Sequence, residues 1–107
     1  MVKPIILTDK TTGKKYTLEF DKASVKFAEN NNFNITSVGD KPMNGIEELF
    51  FYSFRKNHKK EVTREQTDKM LDALRPYPDG FVTRLASLYA APFDGEEDED
   101  PFVTIEM

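Results

Sequence analysis

Apolar and polar residues alternate over two short stretches near the start of the chain. Tyr16, Leu18 and Phe20 interleave with Lys15, Thr17 and Glu19. That period of two predicts a half-buried strand over residues 15–20. Ile5 and Leu7 give residues 3–8 a matching apolar face. The polar, glycine-bearing stretch Asp9-Lys10-Thr11-Thr12-Gly13-Lys14 between them predicts a β-hairpin with a loop longer than two residues. An isolated hairpin is marginal in water, so its apolar face needs a surface to pack on.

Beyond Phe20 the period becomes helical. Asp21 is placed to cap a first helix running to about Asn31, with Val25, Ala28 and Phe27 inward and Asn30-Asn31-Asn32 ending it. Gly39, Pro42 and Gly45 predict an irregular connection anchored by Phe33 and Ile35. A second helix is expected over about Met43 to Asn57. Its centre, Leu49-Phe50-Phe51-Tyr52-Ser53-Phe54, is apolar almost all round, so it either lies centrally or reserves a face for a partner. Thr63 followed by Gln66 is a capping box opening a third helix with Thr67, Met70, Leu71 and Leu74 on one stripe, closed by Pro76 and Pro78. Asp79 is placed to cap a fourth, carrying Val82, Leu85, Leu88 and Tyr89 and stopped by Pro92, with Phe93 as the last core residue. The pattern predicts an α+β fold: about four helices, an N-terminal hairpin, one globular domain over residues 1–93, and a flexible tail over 94–107.

Charge sharpens that boundary. Of the net charge of −4, the stretch Asp94 to Met107 contributes −7, from Asp94, Glu96, Glu97, Asp98, Glu99, Asp100 and Glu106. Residues 1–93 therefore carry +3, and a block of like charge repels itself and stays extended. A short apolar island, Phe102-Val103-Thr104-Ile105, lies beyond the acids. With 107 residues the chain has room for a single modest core. No apolar run reaches the ~18 residues of a membrane span, and Met1-Val2-Lys3-Pro4 opens no signal peptide. The chain has no cysteine, which fits a reducing cytosol.

Candidate chemistry is sparse. His58 is the single histidine and sits in the basic run Arg55-Lys56-Asn57-His58-Lys59-Lys60. A general base there needs a positioned partner and a pocket; the plainer reading is a solvated helix end. One histidine without cysteine makes a poor transition-metal site, and the acidic run from Asp94 fails the EF-hand pattern, with Glu99 at its sixth position and Ile105 at its twelfth. No phosphate-binding glycine motif or other cofactor signature is present. The basic run is too narrow for a nucleic-acid footprint, and the acidic tail opposes it. The expectation is therefore a binding protein without cofactor, not an enzyme, and without nucleic-acid or membrane partners. Nine Phe and four Tyr exceed what so small a core readily absorbs. Phe50, Phe51, Tyr52, Phe54, Tyr89 and Phe93 are the candidate partner contacts, and a homo-oligomer is one way to cover them.

The chain resembles the small tail assembly chaperones of long-tailed bacteriophages and prophages of low-GC Gram-positive bacteria. The resemblance spans most of residues 15–93. It rests on Lys15-Tyr16-Thr17-Leu18-Glu19-Phe20, Asp21-Lys22-Ala23-Ser24-Val25, Asn32-Phe33-Asn34-Ile35, Lys41-Pro42-Met43, the aromatic helix Ile46 to Asn57 with His58-Lys59, and Leu85-Ala86-Ser87-Leu88-Tyr89-Ala90-Ala91-Pro92-Phe93. It implies a non-catalytic protein of the host bacterial cytoplasm. Such a protein binds the tape-measure protein before the tail tube polymerises, keeps its apolar helical segments soluble, helps recruit tube subunits, and leaves before the virion is complete. Many such phages also make a longer form by ribosomal frameshifting, and this chain would be the short form or a member without the extension. The alternative is a small head–tail or tail component retained in the virion. A third reading, a regulator that mimics nucleic acid, is opposed by the +3 body.

Overall fold

A computed structural model describes residues 3–94. The chain forms an α+β fold: a two-stranded antiparallel hairpin, β1 (Ile5–Thr8) and β2 (Lys15–Leu18), followed by five helices. These are α1 (Lys22–Asn30), α2 (Ser37–Asp40), α3 (Pro42–Tyr52), α4 (Arg64–Ala73) and α5 (Phe81–Asp94). The tail expected beyond Asp94 lies outside the described residues.

The hairpin turns as its polar loop dictates. The Asp9 carboxylate accepts the Thr11 N–H at 2.9 Å, and Gly13, at φ 77°, donates its N–H to the Asp9 carbonyl at 2.7 Å. Ile5 pairs with Leu18, Ile6 with Thr17 and Leu7 with Tyr16. This register puts Tyr16 and Leu18 in the core with Ile5 and Leu7 half-buried beside them. The outer edge of β2 is closed by the segment following α3. Glu19 donates its N–H to the Ser53 carbonyl at 3.1 Å, Thr17 donates to His58 Nε2 at 2.9 Å, and Asn57 Nδ2 donates to the Thr17 carbonyl at 3.2 Å.

Those bonds explain why the aromatic helix stops at Tyr52 and not at the expected Asn57. The Ser53 carbonyl is turned to β2, and residues 53–57 make turns that carry Asn57 and His58 to the strand. Two helix starts follow their caps. Asp21 accepts the Ser24 N–H while the Ser24 hydroxyl accepts the Asp21 N–H, both at 2.8 Å. Thr63 and Gln66 do the same at 3.2 and 2.8 Å. Asn32, at φ 68°, makes the turn that ends α1. The expected irregular connection contains a short helix, α2, initiated where the Asn34 side chain accepts the Thr36 N–H at 3.0 Å. Pro92 does not stop the last helix. It lies in the final turns of α5, where its missing N–H removes a single backbone bond.

α3 touches all four other helices, which is the central position its apolar circumference requires. Leu49, Phe50 and Phe54 meet Leu18, Leu71 and Leu85 in the middle of the core. Phe50 and Phe54 stack edge to face at 5.1 Å, and Tyr16 stands edge-on to Phe54 at 5.4 Å. Where α2 and α3 cross, Gly45 carries no side chain because none fits. A Cβ there would stand 2.5 Å from the Ser37 carbonyl and 2.6 Å from the Val38 nitrogen. Among the described residues, no helix is long and apolar enough to cross a membrane.

Gly45→Ala is expected to destabilise the fold by about 1–3 kcal/mol, because backbone must move to admit the methyl group. Gly39→Ala, which meets nothing within 4 Å, is expected to stay within about 0.5 kcal/mol. Urea denaturation of the two variants checks the difference.

Candidate functional site

His58, the one side chain with a claim to proton chemistry, is not a solvated helix end. Its ring is mostly buried, edge-on to Tyr16 at 5.1 Å. The Thr17 N–H can only donate, so Nε2 accepts and Nδ1 carries the proton, which it gives to Glu61 Oε2 at 2.7 Å. Both ring nitrogens are thereby committed within the fold, and no lone pair faces a substrate. Glu61 also lies 3.3 Å from the Lys14 ammonium. Hydrogen bonds from His58 and then Lys14 hold the Glu61 carboxyl below its ordinary value. His58 thus fastens the hairpin to the turn before α4. Among the described residues, no group of three or more His, Cys, Asp or Glu is gathered to hold a metal ion.

The six candidate contact residues separate into two sets. Phe50 and Phe54 are fully buried, and Tyr52 and Tyr89 are also buried. They bind other parts of the chain: Tyr89 stacks on Phe20 at 5.1 Å and on Phe33 at 5.4 Å, while Tyr52 meets Phe33 and Phe27. Burial, then Glu48 near Tyr52 and Glu29 near Tyr89, raises both phenols above their usual range. These four side chains reach no partner while the fold is closed. Phe51 is half-buried. Phe93 is 62% exposed and is not the core residue it was expected to be; it leans on Tyr89 at 5.9 Å over a depression of about 300 Å³ lined by Glu29, Phe33 and Ile35. A helix presents adjacent residues ~100° apart, so the neighbours of a buried Phe50 must turn elsewhere. Here Phe51 lies against Tyr52, and Tyr52 turns to Phe27 of α1 and to Phe33 of the loop that follows it.

The apolar surface that the sequence reading missed lies at the start of α3. Met43 is 60% exposed and stands with Pro42 and Ile46 on one wall of an open cleft of about 330 Å³. Pro76 and Tyr77, from the segment after α4, form the other wall. Among the described residues, Arg75 is the one charged residue that lines the cleft. Its guanidinium lies 5.5 Å from the centre of the Tyr77 ring and 3.6 Å from the Met43 sulfur. The two walls are some thirty residues apart in sequence, and only the α3–α4 packing brings them together. The only signal available beforehand was that each wall holds a proline, which limits how a segment can fold back into a core. The cleft offers an apolar, adaptable surface with a single cation at its rim, which suits binding an apolar segment and supplies no nucleophile or base.

A family model described as a domain of unknown function, DUF5055, matches residues 1–101. The chain belongs to the DUF5055 family. No curated protein and no solved structure matches it. For this DUF5055 chain the functional reading therefore rests on its own surface and on the resemblance drawn above.

Phe50→Ala is expected to cost about 3–5 kcal/mol and Phe93→Ala to stay within about 0.5 kcal/mol, which thermal or urea denaturation separates. His58→Ala leaves the Thr17 N–H without its acceptor and is expected to cost about 1–3 kcal/mol. A carboxyl held low by folding stabilises above its unfolded value, and that contribution is lost as pH falls through the folded one. The Glu61 contribution is therefore present above pH 4.5 and fades below it. Glu61→Gln is expected to flatten this acid limb in a pH series of denaturation midpoints.

Proposed function

We propose that this chain is a tail assembly chaperone, a non-catalytic protein that holds apolar helical segments of a tape-measure protein in the host cytoplasm until tube subunits enclose them. The observation that carries this reading is the exposed cleft around Met43. It has the makings of a helix-in-groove site: Pro42, Met43, Ile46, Pro76 and Tyr77 supply apolar walls for side chains one turn apart on a partner helix. Methionine is unbranched and polarizable, so it repacks against partner segments of different shape. Arg75 at the rim favours segments that carry an acidic residue beside the apolar stripe. Phe93 adds a second exposed apolar contact at the far end of α5.

The test is co-expression with a tape-measure protein, taken from beside the gene where one is encoded there. The expected result is a soluble complex with a partner that is insoluble alone. Met43→Glu, at an exposed position, is expected to leave the fold intact and weaken the complex by at least about tenfold, or 1.4 kcal/mol. A tape-measure protein equally soluble without this chain, with no co-purification, would overturn the proposal.

A further inference from the structure

The two edges of the hairpin differ. Thr17 turns its N–H and carbonyl to His58 and Asn57, away from β1. In an antiparallel ladder the residue opposite such a position also points outward. Ile6 is opposite Thr17, and Thr8, two positions on, repeats the phase. Asp9, in the alternate phase, donates to the Lys14 carbonyl at 2.8 Å. The backbone N–H and C=O groups of Ile6 and Thr8 therefore face out from the edge of β1, where no other described strand pairs with it. The Ile6 side chain is 57% exposed. A sheet of two strands is marginal, and an open edge with an apolar side chain is one that proteins normally cover.

This edge is complementary to itself. An antiparallel copy laid along β1 with Ile6 opposite Ile6 brings Ile5 opposite Leu7, Pro4 opposite Thr8 and Lys3 opposite Asp9. The last three pairs each occur twice, related by a two-fold axis. The two Ile6 residues exchange both of their backbone bonds. Each Thr8 gives its N–H to a Pro4 carbonyl; the proline has no N–H to return, so only the Thr8 carbonyl is left to water. Apolar side chains meet apolar ones and an ammonium meets a carboxylate, which are the pairings that stabilise a sheet. The Asp9 carboxylate is held at the strand's end, where it accepts the Thr11 N–H at 2.9 Å. Neighbouring registers lose these matches. A pairing centred on Leu7 sets Asp9 against Ile5. One centred on Ile5 sets Ile6 against Pro4, where the missing N–H falls in the middle of the edge, and Lys3 against Leu7.

We propose that β1 is a dimerisation edge: a second copy of this chain adds its own β1, antiparallel and two-fold related at Ile6, to make one four-stranded sheet in the order β2-β1-β1-β2. The pairing covers the exposed Ile6 side chain with its own counterpart. On the core face of the sheet, Leu7 lines a groove of about 490 Å³ together with Met70 and Leu74 of α4. Ile5 of the second copy, about 4.5–5.5 Å from Leu7 across the ladder, stands beside that groove. Strands of four residues make a small interface, at the low end of what specific complexes bury (below about 1,200 Å²), so the pair forms and parts with concentration. The inference does not depend on what the Met43 cleft binds.

Amide hydrogen exchange and sedimentation equilibrium on the full chain alone, at micromolar and at millimolar concentration, test it. The Ile6 and Thr8 amides are expected to exchange at least about tenfold more slowly at the higher concentration, as dimer replaces monomer. Ile6→Lys, at an exposed position, sets two ammonium groups against each other across the axis and is expected to keep the fold and abolish both effects. Because the chain lacks cysteine, single cysteines report the register. Ile6→Cys, at a bonded pair with Cα atoms about 5.5 Å apart, is expected to form oxidised dimers at least about tenfold faster than Thr8→Cys, whose two copies stand four residues apart along the ladder, too far to bridge. A chain that stays monomeric at millimolar concentration, or a dimer that survives Ile6→Lys, overturns the proposal. So does protection of Ile6 and Thr8 that is equal at both concentrations, which would assign the edge to a segment of the same chain. Equal oxidation rates for the two cysteine variants overturn the two-fold at Ile6.

Discussion

The fold depends on how one strand edge is satisfied. Two strands joined by a turn do not hold together alone in water. Here the second strand is completed from outside by the segment after α3: the Ser53 carbonyl, the Asn57 amide and the His58 imidazole meet the backbone of Thr17 and Glu19. Once that edge is fixed, Tyr16 lies against Phe54 and His58, Leu18 reaches the middle of the core, and the chain leaves β2 aimed at the Asp21 cap. The hairpin works as a lid on the helices, and the polar residues after α3 are its fastening.

This arrangement settles how the aromatic surplus is used. Phe50 and Phe54, four apart on one face, point into the core, while Tyr52 and Tyr89 are absorbed through Phe33, a residue of the connecting loop. Side chains that looked spare become the contacts between layers. Among the described residues, the large apolar side chains that stay exposed are three separate ones, Ile6, Met43 and Phe93, each at the end or edge of an element. A molecule with its apolar surface divided in this way can engage more than one segment at once, and the effective concentration of the second engagement then adds to the first.

The sequence made the local features legible and left the long-range ones hidden. The hairpin, both capping boxes and the central aromatic helix follow from spacing and from residues that act within four positions of themselves, such as Asp21 with Ser24 and Thr63 with Gln66. The early end of α3 did not follow, because it depends on bonds between Thr17 and residues some forty positions away. His58 was misread for the same reason: a basic run suggests solvent, and only the folded chain places a donor opposite its ring. The helical turn at Ser37–Asp40 was concealed by Gly39, Pro42 and Gly45, of which Gly45 serves the close packing of α2 on α3. Of the candidate site, the aromatic residues were noticed but their partners were not. Met43 was passed over because its cleft takes its other wall from the distant Pro76 and Tyr77.

The closed edge of β2 also sets a limit on assembly. A sheet with two open edges passes strand pairing on indefinitely, each added chain presenting a fresh edge to the next, and that is the geometry of fibres. In this molecule growth through β2 is blocked by Ser53, Asn57 and His58, so among the described residues only β1 leaves an edge of the hairpin open. Two copies joined edge to edge would each spend their single free edge and stop at a closed pair. A sheet that terminates in this way is a safeguard against the chain forming a polymer of its own.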